Sequence, residues 1–253
     1  MNRDDAELAT GLVRDAGRLA QRMRAEGLSA ERKTSISDVV TAADRAAEAL
    51  IVERLRAERP DDSILGEEGT DHTGTSGRTW VIDPVDGTYN FVAGLDWWCS
   101  AVALIDGDDL VLGAVHHPAS GTTYVGGPKF TPTVDGVPME PLPDRPLAES
   151  CLTTYLHPPF FGGEVGDAFG RMANGAATVR MLGSGTMDAM TVAQGRLQVL
   201  CQHSVPSWDE LPGAAIIRGA GGTTRRVEAA GVEWYVAGAP TAVAEVCAAL
   251  LAR

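Results

Sequence analysis

The stretch Trp80-Val81-Ile82-Asp83-Pro84-Val85-Asp86-Gly87-Thr88-Tyr89-Asn90-Phe91 decides how this chain reads. An apolar run leads straight into two aspartates and then into Gly-Thr. It reads as a strand over residues 79–82 that delivers carboxylates to a cleft. Pro84 is expected to stop the strand and fix the turn. Across that turn Asp83 and Asp86, three residues apart, can face one point. Gly87 lets backbone N–H groups come close to a ligand. A short helix starting at Thr88 would add free N–H groups, placing an anion site beside a cation site. Two carboxylates with a phosphate cradle are the parts of metal-assisted phosphoryl chemistry.

Outward from this stretch, Ile64-Leu65-Gly66-Glu67-Glu68-Gly69 is a second strand ending on acids. Adjacent glutamates cannot share one face of an extended strand, and Glu67 is chosen as the one entering the cleft. Far downstream, Ser207-Trp208-Asp209-Glu210-Leu211-Pro212-Gly213 opens a helix, with Pro212 read as part of its first turn. Apolar spacing of three to four predicts helices over 4–26 and 41–59. Strands are predicted over 63–66, 99–105, 110–116 and 122–125, with Asp106-Gly107-Asp108-Asp109 as a hairpin turn. The proline-rich stretch 126–145 reads as loop with one short strand. Beyond it the pattern alternates: strand 151–155, helix 163–173, strand 178–181, helix 186–194, strand 197–201, helix 208–218, strand 233–237 and helix 240–251. The class is therefore mixed α/β in layers. The expected halves are 1–145, with most of the acidic ligands, and 146–253, with Asp209 and a pocket wall, as one compact unit.

The chain has 253 residues, and 44% of them are hydrophobic, enough to bury a core. Its net charge of −13 argues against nonspecific binding to nucleic acid or an anionic membrane. No apolar run approaches the roughly 20 residues of a membrane span. Met1-Asn2-Arg3-Asp4-Asp5 lacks a secretory pattern, so the expected compartment is the cytoplasm. Cys99, Cys151, Cys201 and Cys247 are widely spaced, which argues against a zinc cage or redox pair. His116-His117, adjacent at a strand end, should point opposite ways and not chelate. Trp97-Trp98 reads as core or subunit surface. Asp-Gly-Thr after a strand also occurs in haloacid-dehalogenase phosphatases, but the position of their nucleophilic aspartate is here Pro84.

Taken together, these pieces resemble the inositol monophosphatase family of magnesium-dependent, lithium-sensitive phosphatases. The family frame W-x-x-D-P-x-D-G-T-x-N-F is matched from Trp80 to Phe91, and W-D-x-x-x-G with a Gly-Gly ending by Trp208, Asp209, Gly213, Gly221 and Gly222. Gly66-Glu67-Glu68 matches G-E-E, and Asp38 to Asp44 matches D-x-V-T-x-x-D. The resemblance implies a layered α-β-α-β-α sandwich of the inositol monophosphatase and sugar phosphatase type, usually a homodimer. It implies two or three Mg²⁺ ions. Glu67, Asp83 and the Val85 carbonyl would hold the first, and Asp83, Asp86 and Asp209 the second. A third would lean on Glu67 through water. Thr88, hydrogen-bonded to Asp44, would position the attacking water with Glu67, and Lys33 would lie near the metal-bound waters. Asp86, Gly87, Thr88, Gly185 and Gln202 would line the substrate pocket.

The implied activity is hydrolysis of a small phosphate monoester, inositol-1-phosphate-like, by in-line attack of a metal-activated water. Histidinol-phosphate phosphatase, fructose-1,6-bisphosphatase and nucleotide 3′-phosphatase are alternatives within the family, and a regulatory protein-binding role is one outside catalysis. Three positions depart from the family pattern. Gln202 stands where inositol phosphatases carry a glutamate, which disfavours a cationic substrate. Gly183-Ser184-Gly185-Thr186 remodels a pocket wall, and Arg218-Gly219-Ala220 replaces a commonly acidic site.

Overall fold

The computed structural model describes residues 3–27, 30–32 and 39–252; Lys33 and Asp38 lie outside them. Helix α1 (Arg3–Glu26) buries Leu8, Leu12, Val13, Ala16 and Ala20 on one face. Asp4 and Asp5 sit in its first turn and Arg24 in its last, where the helix dipole favours them. Strands β1 (Ala30–Arg32) and β2 (Val39–Thr41) pair antiparallel and lead into α2 (Ala42–Glu58). Thr41 and Asp44 close a reciprocal capping box at the start of α2.

Next come β3 (Ser63–Gly66), β4 (Asp71–His72), β5 (Arg78–Asp86) and the five-residue helix α3 (Thr88–Val92). They are followed by β6 (Cys99–Asp106), β7 (Asp109–His117), β8 (Thr122–Gly127), β9 (Phe130–Val134) and β10 (Val137–Pro138). The eight strands β3 to β10 form one sheet, in the order β10-β9-β8-β7-β6-β5-β3-β4. The rest of the chain holds β11 (Cys151–Thr154), α4 (Gly163–Gly175), β12 (Thr178–Arg180), α5 (Gly185–Ala193), β13 (Val199–His203), α6 (Ser207–Gly219), β14 (Thr223–Ala229), β15 (Val232–Gly238) and α7 (Pro240–Leu251). Its five strands make a second sheet, β12-β11-β13-β15-β14.

Packing stacks these elements in five layers. Consecutive residues of β5 and β6 divide between two cores. Trp80, Ile82, Val102 and Leu104 join Leu12, Ile51 and Leu55 under α1 and α2. Val81, Ala101 and Ala103 join Met187, Ala214 and Ile217 under α5 and α6. Burial on both faces explains why these strands read as nearly continuous apolar runs. Helices α5 and α6 touch both sheets, and α7, packed on α4, closes the outer face of the second. At the N-terminal edge, Asp5 is buried and pairs with Arg59 and Arg78 at 3.0 and 2.7 Å, tying α1 to β5.

Several expectations are corrected. Strand β5 does not stop at Pro84 but runs on to Asp86. Proline is tolerated there because β3 pairs with β5 only as far as Ile82, and the register against β6 shifts between Asp83 and Asp86. The proline-rich stretch holds two strands, β9 and β10, joined at Asp135-Gly136. Strand β14 was not foreseen; its exposed Arg225, Arg226 and Glu228 mask it as loop. Pro212 is the sixth residue of α6, beyond the first turn. Its carbonyl lies against Gly113 of β7, where a Cβ would come within 2.2 Å of it, so only glycine lets the helix approach this closely.

Candidate active site

The site forms where β5 ends. In a regular strand, residues three apart face opposite sides. Here Asp83 pairs with Ala101 and Asp86 with Cys99, so β5 spends one residue more than β6 over this interval. That bulge turns both carboxylates to the same side. Ser100 donates to the Pro84 carbonyl at 2.6 Å and satisfies the irregular backbone. Helix α6 adds Asp209 from its first turn. One oxygen from each of Asp83, Asp86 and Asp209 lies within 4.8 Å of the others.

The three aspartates differ in their support. Asp86 accepts from the Ser184 hydroxyl at 2.5 Å and from the Thr186 amide at 2.8 Å, both at the start of α5. Asp83 is 1% exposed, and among the described residues no donor reaches either of its oxygens. The group near enough to share a proton with it is another carboxylate, that of Asp209. Burial raises the pKa of Asp83 well above the usual carboxylate range, and the charges of Glu67, Asp86 and Asp209 push it further. Asp209 is raised likewise, by burial and then by Asp86 and Glu67. An orphaned, buried carboxylate among like charges is the donor set that a hard cation completes.

Gly87 leads out of β5 with φ 88°, the left-handed region that glycine adopts without cost. It starts α3 and places Thr88, whose hydroxyl lies 2.9 Å from the Val85 carbonyl and 3.2 Å from Asp44. Asp44 is buried, and burial first, opposed by its bond from Thr41, leaves its pKa at about 6. Glu67, Asp83, Val85, Asp86, Gly87, Thr88, Gly185, Gln202 and Asp209 line one cavity of about 190 Å³. Asp44 stands behind Thr88, and Lys33 is outside the described residues.

The cavity also takes in Gly183, expected in the pocket wall, and Tyr89 and Tyr155, which the sequence does not single out as site residues. Ser184 and Thr186 were seen only as pocket wall, yet they hold Asp86. Asp188 gave no signal, since an acid near a helix start looks like a cap. It is buried, accepts from Trp97 Nε1 at 2.9 Å and from the Thr153 hydroxyl, and is raised by burial to about 7. Trp98 is core, packed edge-on against Phe91, while Trp97 is partly buried. His116 is buried against Thr123, and His117 meets Ser120 and the Asp96 carbonyl; the pair diverges as expected.

The sequence profile of the inositol monophosphatase family matches residues 1–251. The chain belongs to this family. A fructose-1,6-bisphosphatase/inositol-1-monophosphatase of Thermotoga maritima is 31% identical over 219 residues, 87% of this chain and 83% of that one. A histidinol-phosphatase of Mycobacterium tuberculosis is 31% identical over 233 residues, 88% and 87% of the two chains. In fold, the chain superposes on an extragenic suppressor protein of Bartonella henselae with a TM-score of 0.89, over 97% of each chain at 23% identity. As a member of the inositol monophosphatase family it is a phosphoric monoester hydrolase. Its acidic cluster could hold a metal ion, and among the described residues no helix is long and apolar enough to cross a membrane.

The electrostatics of the inositol monophosphatase site predict an unusual stability profile. A carboxylate whose pKa is raised by folding binds more protons folded than unfolded. Its penalty is absent below the unfolded pKa near 3.8 and grows as pH rises toward the raised value. In excess chelator, the melting temperature should therefore fall between pH 5 and pH 8, by about 2–4 °C per kcal/mol for a chain of this size. A divalent cation should abolish the decline. Melting curves at the two pH values, with and without cation, check this; a flat metal-free profile would contradict it.

Proposed function

We propose that this chain hydrolyses a small phosphate monoester, inositol-1-phosphate-like, with Mg²⁺ and by in-line attack of water. The observation that carries this reading is the orphaned Asp83 carboxylate set among Asp86 and Asp209. Glu67, Asp83 and the Val85 carbonyl would hold one ion, and Asp83, Asp86 and Asp209 another, with a third leaning on Glu67. The ions would offset the charge of both the carboxylates and the ester dianion, acidify water and stabilise the leaving alkoxide.

The chain's own residues do the rest. The Thr88 hydroxyl has a single proton and two acceptors for it, Asp44 and the Val85 carbonyl. Its oxygen keeps a lone pair for a proton of the attacking water, and Glu67 accepts the other. The N–H groups of Gly87 and Thr88 face the ester's phosphoryl oxygens. Gln202, which lies against Gly185 in the same cavity, hydrogen-bonds a hydroxyl of the leaving group and offers no charge to pair with an ammonium. The same reading takes the protein as a cytoplasmic, lithium-sensitive homodimer acting on small molecules, without nucleic-acid or membrane partners.

A panel of phosphate esters at saturating Mg²⁺ tests the substrate class. Neutral polyol phosphates should be turned over in preference to histidinol phosphate. Gln202→Glu should leave the Mg²⁺ requirement alone. It should raise the kcat/KM ratio of histidinol phosphate to a neutral alcohol phosphate about tenfold or more, since one charge-assisted bond is worth about 1.5–3 kcal/mol. An unaltered ratio would remove Gln202 from the substrate's contacts.

A further inference from the structure

Glu48 is a buried acid that the proposed chemistry does not use. It lies on α2 one turn beyond Asp44, on the same helical face, and is 4% exposed. Its carboxylate accepts from the Glu68 amide at 2.8 Å, the Thr70 amide at 3.1 Å and the Thr70 hydroxyl at 2.6 Å. All three donors belong to the turn that follows β3 and carries Glu67. The turn is closed on itself by Gly66 N–H to the Thr70 carbonyl at 2.7 Å, and tied to β5 by Glu67 N–H to the Ile82 carbonyl at 3.2 Å. A Cβ at Gly66 would lie 2.5–2.7 Å from the Glu48 carboxyl group. The glycine before Glu67 is therefore what gives Glu48 room.

We infer that Glu48 is a positioning residue that fixes the turn of Glu67 and so sets where the Glu67 carboxylate stands in the cavity. Resting on the reading that Glu67 serves hydrolysis, this makes α2 the common ruler of the site. Asp44 holds Thr88 from one turn of the helix, and Glu48 holds Glu67 from the next. Removing Glu48 leaves two amides and a hydroxyl of the turn without their acceptor, and the turn relaxes.

The test is a double-mutant cycle between Glu48→Ala and Glu67→Gln, read by kcat, KM and the rise in melting temperature on adding Mg²⁺. Glu48→Ala should lower kcat about tenfold to a hundredfold, the range for residues that orient metal ligands. It should leave KM nearly unchanged and shrink the Mg²⁺-induced thermal shift. Glu48→Gln, which keeps one acceptor oxygen, should recover part of both. In the Glu67→Gln background, Glu48→Ala should change neither quantity further. A purely structural Glu48 would lower the melting temperature equally with and without Mg²⁺, spare kcat, or cost as much in the Glu67→Gln background; any of these overturns the inference. If Glu48→Ala does not fold, Glu48→Gln completes the cycle. Should wild type release phosphate from no ester, the reading of the reaction fails, and the Mg²⁺ shifts alone decide for or against Glu48.

Discussion

Asp83→Asn is expected to lower kcat/KM by about 10³-fold or more while the protein still folds. Asp83 is the aspartate shared by both proposed ions, and an amide in its place removes the charge that holds them. Lewis-acid stabilisation supplies several kcal/mol of a phosphoryl transition state, and each 1.36 kcal/mol is a factor of ten. Folding should not suffer, because among the described residues no donor supports Asp83. In excess chelator the variant should melt higher than wild type, by a few degrees at pH 8, since one of three clustered like charges, and the most deeply buried of them, is gone. Loss of activity and gain of metal-free stability together distinguish a ligand from a structural residue. Retention of most of the activity would end the bridging assignment. Asp209→Asn, which touches one ion, should mainly raise the Mg²⁺ concentration needed.

Thr88→Val should produce the second largest loss, about 10²- to 10⁴-fold in kcat, the range of a general-base contribution. Valine keeps the branched outline but removes the hydroxyl that links Asp44 to the cavity. The Mg²⁺-induced thermal shift should stay near the wild-type value, because the aspartates are untouched. Asp44 adds a pH signature. Its pKa stands at about 6, so it is anionic above that value and loses its acceptor role as pH falls through it. The wild-type rate should show an acid limb there, softened where the Val85 carbonyl takes over as acceptor. Asp44→Asn should flatten the limb. A limb of the same midpoint and depth in Asp44→Asn would separate Asp44 from the proton path.

Much of this site is written locally. The pair Asp83 and Asp86, the glycine at 87 and the threonine at 88 fall within six residues, and their chemistry reads directly. Elements bounded by sharp signals were placed to the residue, as with Ser63–Gly66, which ends on Gly66, and Pro240–Leu251, which begins on a proline. The bulge was not legible. Nothing in Asp-Pro-Val-Asp says that the strand continues and gains a residue; that depends on where β3 stops and how β6 is registered. Contacts across long stretches of chain were hidden as well. Ser184 reaches Asp86 from 98 residues away, and a serine before a helix predicts only a cap. Strand β14 escaped because a half-exposed strand with Arg225, Arg226 and Glu228 lacks the nearly continuous apolar run that marks β6. The sequence signature therefore identified the chemistry, while packing decided how each ligand is held.

The central claim is that Asp83, Asp86 and Asp209 act by holding divalent cations against a phosphate ester. Phosphate release from inositol-1-phosphate, measured in excess chelator and again after Mg²⁺ is restored, tests it most directly. The account predicts no turnover above background with chelator, full recovery with Mg²⁺, and inhibition of the recovered rate by Li⁺. Undiminished turnover in excess chelator would contradict it.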